Sequence, residues 1–249
     1  MATCSISSAA DDEINDPGAA PYGNFINYYT FNPPENRLSL IPSTLLRDLT
    51  SVHSDAQQST LILDVGCNSG ELSVAFYKHV VQEPDERKVH LLGFDLDPVL
   101  IQRAQQNNPL PGNISFLPLD VTKDTRQLQD HLDRYGCSRF HLTLCLAVTM
   151  WVHLNHGDGG LLQLLSRLAS ISQHLLLEAQ PWKCYRSAAR RLRKLGRSDF
   201  DHFKSLRIRG DVAEQVREHL EGHCGMELVQ SFGSTTWDRK LLLFKRRRD

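Results

Sequence analysis

Thr60-Leu61-Ile62-Leu63-Asp64-Val65-Gly66-Cys67-Asn68-Ser69-Gly70 reads as a short apolar strand that runs straight into a tight turn. Gly66 lets the backbone come close to a ligand, and Gly70 lets the following helix pack closely on the strand. An amphipathic stretch, Gly70–Val81, continues from the turn. Strand, glycine turn and helix together open an α/β unit. The G-x-x-x-G spacing is weak by itself, because many tight turns share it.

Working outward, the alternation continues. Apolar strands are expected at Val89–Asp95, Asn113–Leu119, Arg139–Val148 and His174–Glu178. Between them lie amphipathic stretches at Pro98–Gln106, Lys123–Tyr135 and Gly159–Ser172. That pattern predicts a parallel sheet with helices on both faces. Met226–Phe232, a turn at Gly233–Asp238, and Lys240–Arg246 break it and read as an antiparallel hairpin. The expected architecture is a mostly parallel, seven-stranded, Rossmann-like sheet. Upstream, Pro42 begins a short helix, Ser43–Leu49, and Tyr22–Arg37 is rich in aromatic residues and asparagine. Residues 1–21 are small, polar and acidic and read as a disordered tail, leaving 22–249 as one domain. Gly196–Gly210 is the longest irregular stretch.

Composition narrows the class. A chain of 249 residues, 41% hydrophobic, suffices for one well-buried domain. The net charge of −1 does not announce nucleic acid, but its distribution is uneven. Trp182–Gly210 carries ten Lys/Arg against Asp199 and Asp201, enough to attract a polyanion. The six scattered cysteines contain no C-x-x-C pair and read as reduced thiols of an intracellular protein, expected in the cytoplasm. Lys245–Arg248 leaves a nuclear signal open. No apolar run approaches membrane-spanning length, and the start lacks a secretion signal.

Two further acids sharpen the ligand. Asp95 ends the second strand, where it can accept hydrogen bonds from both ribose hydroxyls, and Asp120 ends the third, where it can meet an adenine amino group. With Gly66, they sit at the carboxyl ends of adjacent strands, where open sheets bind ligands. Alternatively, they are helix N-caps before Pro98 and Lys123. A dinucleotide fits less well, because Asn68 stands where a second glycine would seat the pyrophosphate. Asn68 and Asp64 suit an aminoacyl tail instead, so the expected cofactor is S-adenosylmethionine.

Thr149-Met150-Trp151-Val152-His153-Leu154-Asn155 with Gly157-Asp158, and Glu178-Ala179-Gln180-Pro181-Trp182-Lys183, join Tyr22-Gly23-Asn24-Phe25 and Arg37 in a longer pattern. Over roughly residues 20–246 this chain resembles the Bicoid-interacting-protein-3 family of RNA 5′-phosphate methyltransferases. The run Gln180-Pro181-Trp182-Lys183-Cys184-Tyr185-Arg186, with the basic helix after it, is similar to the short branch that methylates 5′-monophosphate ends. That branch is associated with histidine tRNA and small-RNA precursors. The branch that caps 5′-triphosphates carries a long extra N-terminal region and is the alternative. Ala179 departs from the family's expected proline.

The resemblance implies a class I methyltransferase fold, with cofactor positions at Arg37, Asn68, Asp95, Asp120, Val121 and Leu146. Arg37 would clamp the methionyl carboxylate bidentately. For the acceptor, Tyr28 and Tyr29 could stack on the terminal base or simply pack in the core. Lys183, Arg186 and His153 could bind the phosphate, though His153 could equally be a satisfied buried histidine. Arg190, Arg191, Arg193 and Lys194 cannot all face one way, so some form a solvated face. His153, His156 and Asp158 have metal-like spacing, but no metal is expected. An ionised phosphate needs no general base, so catalysis is expected to rest on positioning by groups such as His153 and Lys183. A monomer acting on an RNA 5′ end is expected. Two rivals are a small-molecule methyltransferase, which would not need the basic region, and an RNA-binding protein on a degenerate methyltransferase fold.

Overall fold

The computed structural model describes residues 20–50, 59–81, 88–123 and 125–247. Residues 1–19, which carry the acid-rich stretch read as a disordered tail, lie outside the described residues, as does Arg248 of the basic C-terminal run. The strands are β1 Thr60–Val65, β2 Val89–Asp95, β3 Ile114–Pro118, β4 Phe140–Leu146, β5 Ser172–Glu178, β6 Met226–Ser234 and β7 Lys240–Arg246. They form one seven-stranded sheet in the order β3-β2-β1-β4-β5-β7-β6. The first five pair in parallel, and β7 pairs antiparallel with both β5 and β6. This is the mostly parallel, seven-stranded, Rossmann-like sheet that the alternation and the terminal hairpin predicted.

The helices are α1 Tyr28–Phe31, α2 Glu35–Leu38, α3 Leu45–Thr50, α4 Glu71–Val80, α5 Pro98–Gln106, α6 Arg126–Arg134, α7 Thr149–Ile171, α8 Trp182–Lys194 and α9 Val212–His223. Every residue of β1 is buried, as expected of a strand covered on both sides. Its alternation divides the core. Leu61, Leu63 and Val65 join the cluster holding Leu128, Leu165, Tyr185 and Leu220, contributed by α6 to α9. Ile62 joins the opposite cluster with Leu46, Phe76 and Ile101 from α3 to α5. Each fully buried aliphatic side chain contributes roughly 1.5–3 kcal/mol, so β1 is firmly anchored on both faces.

Strand order reverses between β1 and β4, so the loops leaving their carboxyl ends part and open a crevice. The helices depart from expectation in two places. The helix expected at Gly159–Ser172 begins ten residues earlier, at Thr149, with a kink where Gly157 takes φ 69°. A side chain there would also meet the His202 ring, at 3.1 Å from its Cβ. α9 was not expected at all. It buries Val212, Val216 and Leu220, about one residue per turn of a mostly polar segment.

Candidate active site

A cavity of about 310 Å³ lies in the crevice. Its floor is the turn after β1, where Gly66, Asn68 and Gly70 all adopt left-handed backbone, with φ of 69°, 51° and 80°. At Gly66 a Cβ would lie 2.6 Å from a methyl of Val148, so only glycine keeps the backbone open to the cavity. Asp64, Gly66, Asn68 and Asp95 line one side, and Asp120, Val121, Leu146 and Arg37 complete it. All the residues expected to hold a cofactor therefore converge. The roof is the N-terminal segment, stapled down by Asn24 Nδ2 to Asp97 Oδ2 at 2.8 Å, Asn68 Nδ2 to the Phe25 carbonyl at 3.1 Å, and Asn155 Nδ2 to the Pro21 carbonyl at 3.0 Å.

The helix-cap alternative for the two acids fails. Asp97, not Asp95, caps α5 by accepting the Val99 N–H at 2.9 Å. Asp95 instead accepts the Asn68 N–H and the Asp97 N–H, both at 3.0 Å, and so ties the β1 turn to the β2 turn. Burial pushes its carboxyl above the usual range. Asp120 does not cap α6, whose N-cap is Thr125. It accepts from Thr122 at 2.6 Å and lies 3.2 Å from the Lys123 ammonium. Burial opposes ionisation of Asp120, but these donors outweigh it and hold its carboxyl low. Asp64 is fully enclosed, and burial lifts it to about 7, although Ser73 Oγ donates to it at 2.6 Å.

Arg37 is fully buried, and its environment is richer than expected. Nε and Nη2 donate to Glu178, and Nη2 also reaches Tyr28 Oη at 2.9 Å. Burial opposes its charge, yet Tyr28 and Glu178 raise its pKa. Nη1 is buried with no partner. The expected two-pronged clamp on a carboxylate is thus corrected, because Glu178 already occupies Nε and Nη2 and only Nη1 is available. The orphaned Nη1, together with a buried acid at Asp64 for an ammonium and Asp95 for hydroxyls, fits the aminoacyl and ribose parts of S-adenosylmethionine.

A second cavity, about 610 Å³, adjoins the first, and the two share Tyr28, Ala147 and Trp151 as walls. Ala147 has φ 61°, a strained conformation for a residue with a side chain. Gln180 holds it there, donating to the Ala147 carbonyl at 2.6 Å while accepting from Met150 N–H at 3.2 Å. Such strain is kept where a backbone must stand in one place, here between the two chambers.

The substrate expectations divide. Lys183 and Arg191 line the second cavity, whereas Arg186 and Arg190 are exposed and line neither. Helix α8 buries Tyr185, Ala188, Ala189 and Leu192, and this sets which basic residues face the groove. Tyr28 borders both chambers. Tyr29 is buried with its hydroxyl on the Cys67 carbonyl at 3.1 Å, so it packs under the turn rather than presenting a ring for stacking. His153 is a correction. It is fully buried, with Nε2 2.7 Å from Asp158 Oδ1 and Nδ1 3.0 Å from Tyr185 Oη. Both ring nitrogens are committed, and Asp158 also accepts the Arg207 and Ile208 N–H groups, so Asp158 fastens residues 207–208 to α7 and His153 holds Asp158 in place instead of binding phosphate. Glu178, Trp237 and Arg239 were not anticipated as site residues. A glutamate ending the apolar run Leu175-Leu176-Leu177 was the one signal available.

Among known proteins, the Bicoid-interacting protein 3 family model matches residues 140–246. A Danio rerio pre-miRNA 5′-monophosphate methyltransferase is 65% identical over 94% of this chain and 96% of its own length. The chain belongs to the Bicoid-interacting protein 3 family. A Homo sapiens family member, an RNA 5′-monophosphate methyltransferase, is 50% identical over 96% of this chain and 85% of its own. Magnesium protoporphyrin IX methyltransferase from Synechocystis, solved with bound SAH, superposes with a TM-score of 0.54 over 95% of this chain and 98% of that one. At 16% identity it speaks for the fold of the family member described here, not for its substrate.

Proposed function

We propose that this protein transfers a methyl group from S-adenosylmethionine to an oxygen of the 5′-terminal monophosphate of RNA. The observation that carries this reading is the pair of adjoining chambers: one lined by Asp64, Asp95 and the free Nη1 of Arg37, the other by Lys183, Arg191 and Arg239, with Ala147 between. The relatives' activity points the same way. S-adenosylmethionine supplies an electrophilic methyl group on a positively charged sulfur. Asp64 and Arg37 would hold the aminoacyl tail and Asp95 the ribose. Asp120 would face the adenine. The strained Ala147 carbonyl loop and the Tyr28 and Trp151 rings frame the passage through which a phosphate oxygen reaches the methyl in line.

The phosphate oxygen is already ionised, so one O–C bond forms as the C–S bond breaks and no side chain has to take a proton. Histidine tRNA and small-RNA precursors are the acceptors this reading favours. It further holds the protein to be a cytoplasmic monomer, to be checked by sedimentation and by localisation of a tagged chain. The deciding experiment offers labelled cofactor to one RNA bearing a 5′-hydroxyl, 5′-monophosphate or 5′-triphosphate. Incorporation is expected only with the monophosphate, and the product's 5′ group should then resist phosphatase. Label on 5′-hydroxyl RNA overturns the reading, and preference for the triphosphate reassigns the acceptor.

A further inference from the structure

Glu178 ends β5 fully buried, yet it faces two guanidinium groups. Its Oε1 accepts from Arg37 Nη2 at 3.2 Å and from Arg239 Nη1 at 3.0 Å. Trp237 lies between the two arginines, its ring 5.2 Å from the Arg37 guanidinium and 5.7 Å from that of Arg239. One buried carboxylate against the buried Arg37 and the partly exposed Arg239 leaves a local surplus of positive charge. Such a surplus is costly in a dry site unless an anion completes it. The unfilled donors are visible on both sides: Arg37 Nη1, bordering the smaller cavity, and Arg239 Nε, buried without a partner at the wall of the larger one.

The larger groove has three cations and, among its described lining residues, no acid. The three are not equivalent. Lys183 is 54% exposed and paired at 3.0 Å with Asp238, and Arg191 lies over the Phe25 ring at 4.9 Å. Arg239 is 14% exposed and is aimed by Glu178 from behind. We propose that Arg239 is the residue that holds the terminal phosphate of the acceptor and makes the groove distinguish a phosphorylated 5′ end from a hydroxyl. This rests on the reading of the acceptor given above. Lys183 and Arg191 then serve the RNA backbone without reading its end.

The test measures binding of one RNA with a 5′-monophosphate or a 5′-hydroxyl, by fluorescence anisotropy in saturating S-adenosylhomocysteine. The wild-type chain is expected to favour the phosphorylated end at least tenfold. A wild-type ratio near one sinks the functional reading itself, and so is told apart from failure of this assignment. Arg239→Ala should bring the ratio close to one while the affinity for 5′-hydroxyl RNA changes little. Arg239→Lys keeps a charge beside Glu178 and the fold, but lacks the free Nε, and should retain only a few-fold preference. If Arg239→Lys keeps the full wild-type ratio, or if Lys183→Ala abolishes it, the phosphate is held elsewhere and the proposal is wrong.

Discussion

Asp64 shows how a single buried acid can report on the whole cofactor chamber. With its carboxyl lifted to about 7, the folded chain keeps a proton that the unfolded chain has released above about pH 4. A group raised in this way makes stability fall as pH rises, so the free protein should lose thermal stability between about pH 5 and 7. An ammonium set against the carboxylate reverses the preference. Cofactor binding near pH 6.5 should therefore release protons, seen in calorimetry as a heat that depends on the buffer's ionisation enthalpy. Asp64→Asn should remove both the pH dependence and the proton release. Proton uptake in the wild type would place the ammonium away from Asp64.

At the scale of elements, the strands were legible and several of the helices were not. β1 and β2 coincide with their expected limits because both faces are buried and the apolar runs are continuous. The first turns of α7 were hidden by Gly157, whose left-handed backbone interrupts the helix at a kink spanned by His153 and Asp158. α9 was hidden because three buried residues in twelve leave almost no periodic signal. That knot predicts stability rather than chemistry. His153→Ala strips Asp158 and Tyr185 of a partner and empties a buried ring's volume, costing about 2–4 kcal/mol. For a chain of this size, melting should fall by roughly 5–15 °C, with cofactor affinity intact in the cold. An unchanged melting temperature with lost RNA turnover would return His153 to the acceptor site. Helix α8 makes a complementary prediction. Arg186 and Arg190 lie off the groove, so reversing both to Glu should flatten the salt dependence of RNA binding, by about 0.7–0.9 in log–log slope for each phosphate no longer neutralised. It should leave the preference for a 5′-phosphate untouched. An unaltered slope would make them a plain solvated face.

At the scale of the molecule, the reversal of strand order between β1 and β4 does most to assemble the site. Acids at adjacent strand ends could be placed from sequence, because parallel neighbours bring those positions together by rule. Arg37, Glu178 and Arg239 could not, since 141 and 61 residues separate the partners and no local pattern records that they meet. The assembled site has a consequence for rate. His153 is fully buried with both nitrogens tied to Tyr185 and Asp158, so it is out of reach of the acceptor as a base. His156 is the histidine among the described residues that borders the cofactor chamber. If a phosphate oxygen attacks unaided, the ionisation that matters is the acceptor's own second one, near pH 6. Saturating cofactor removes the Asp64 titration from view. Under that condition kcat should rise through about pH 6 and then stay level to about pH 9, for wild type and His156→Ala alike. A bend near neutrality that disappears in His156→Ala would mean that a side chain takes a proton in the transfer, and the unaided mechanism would have to be abandoned.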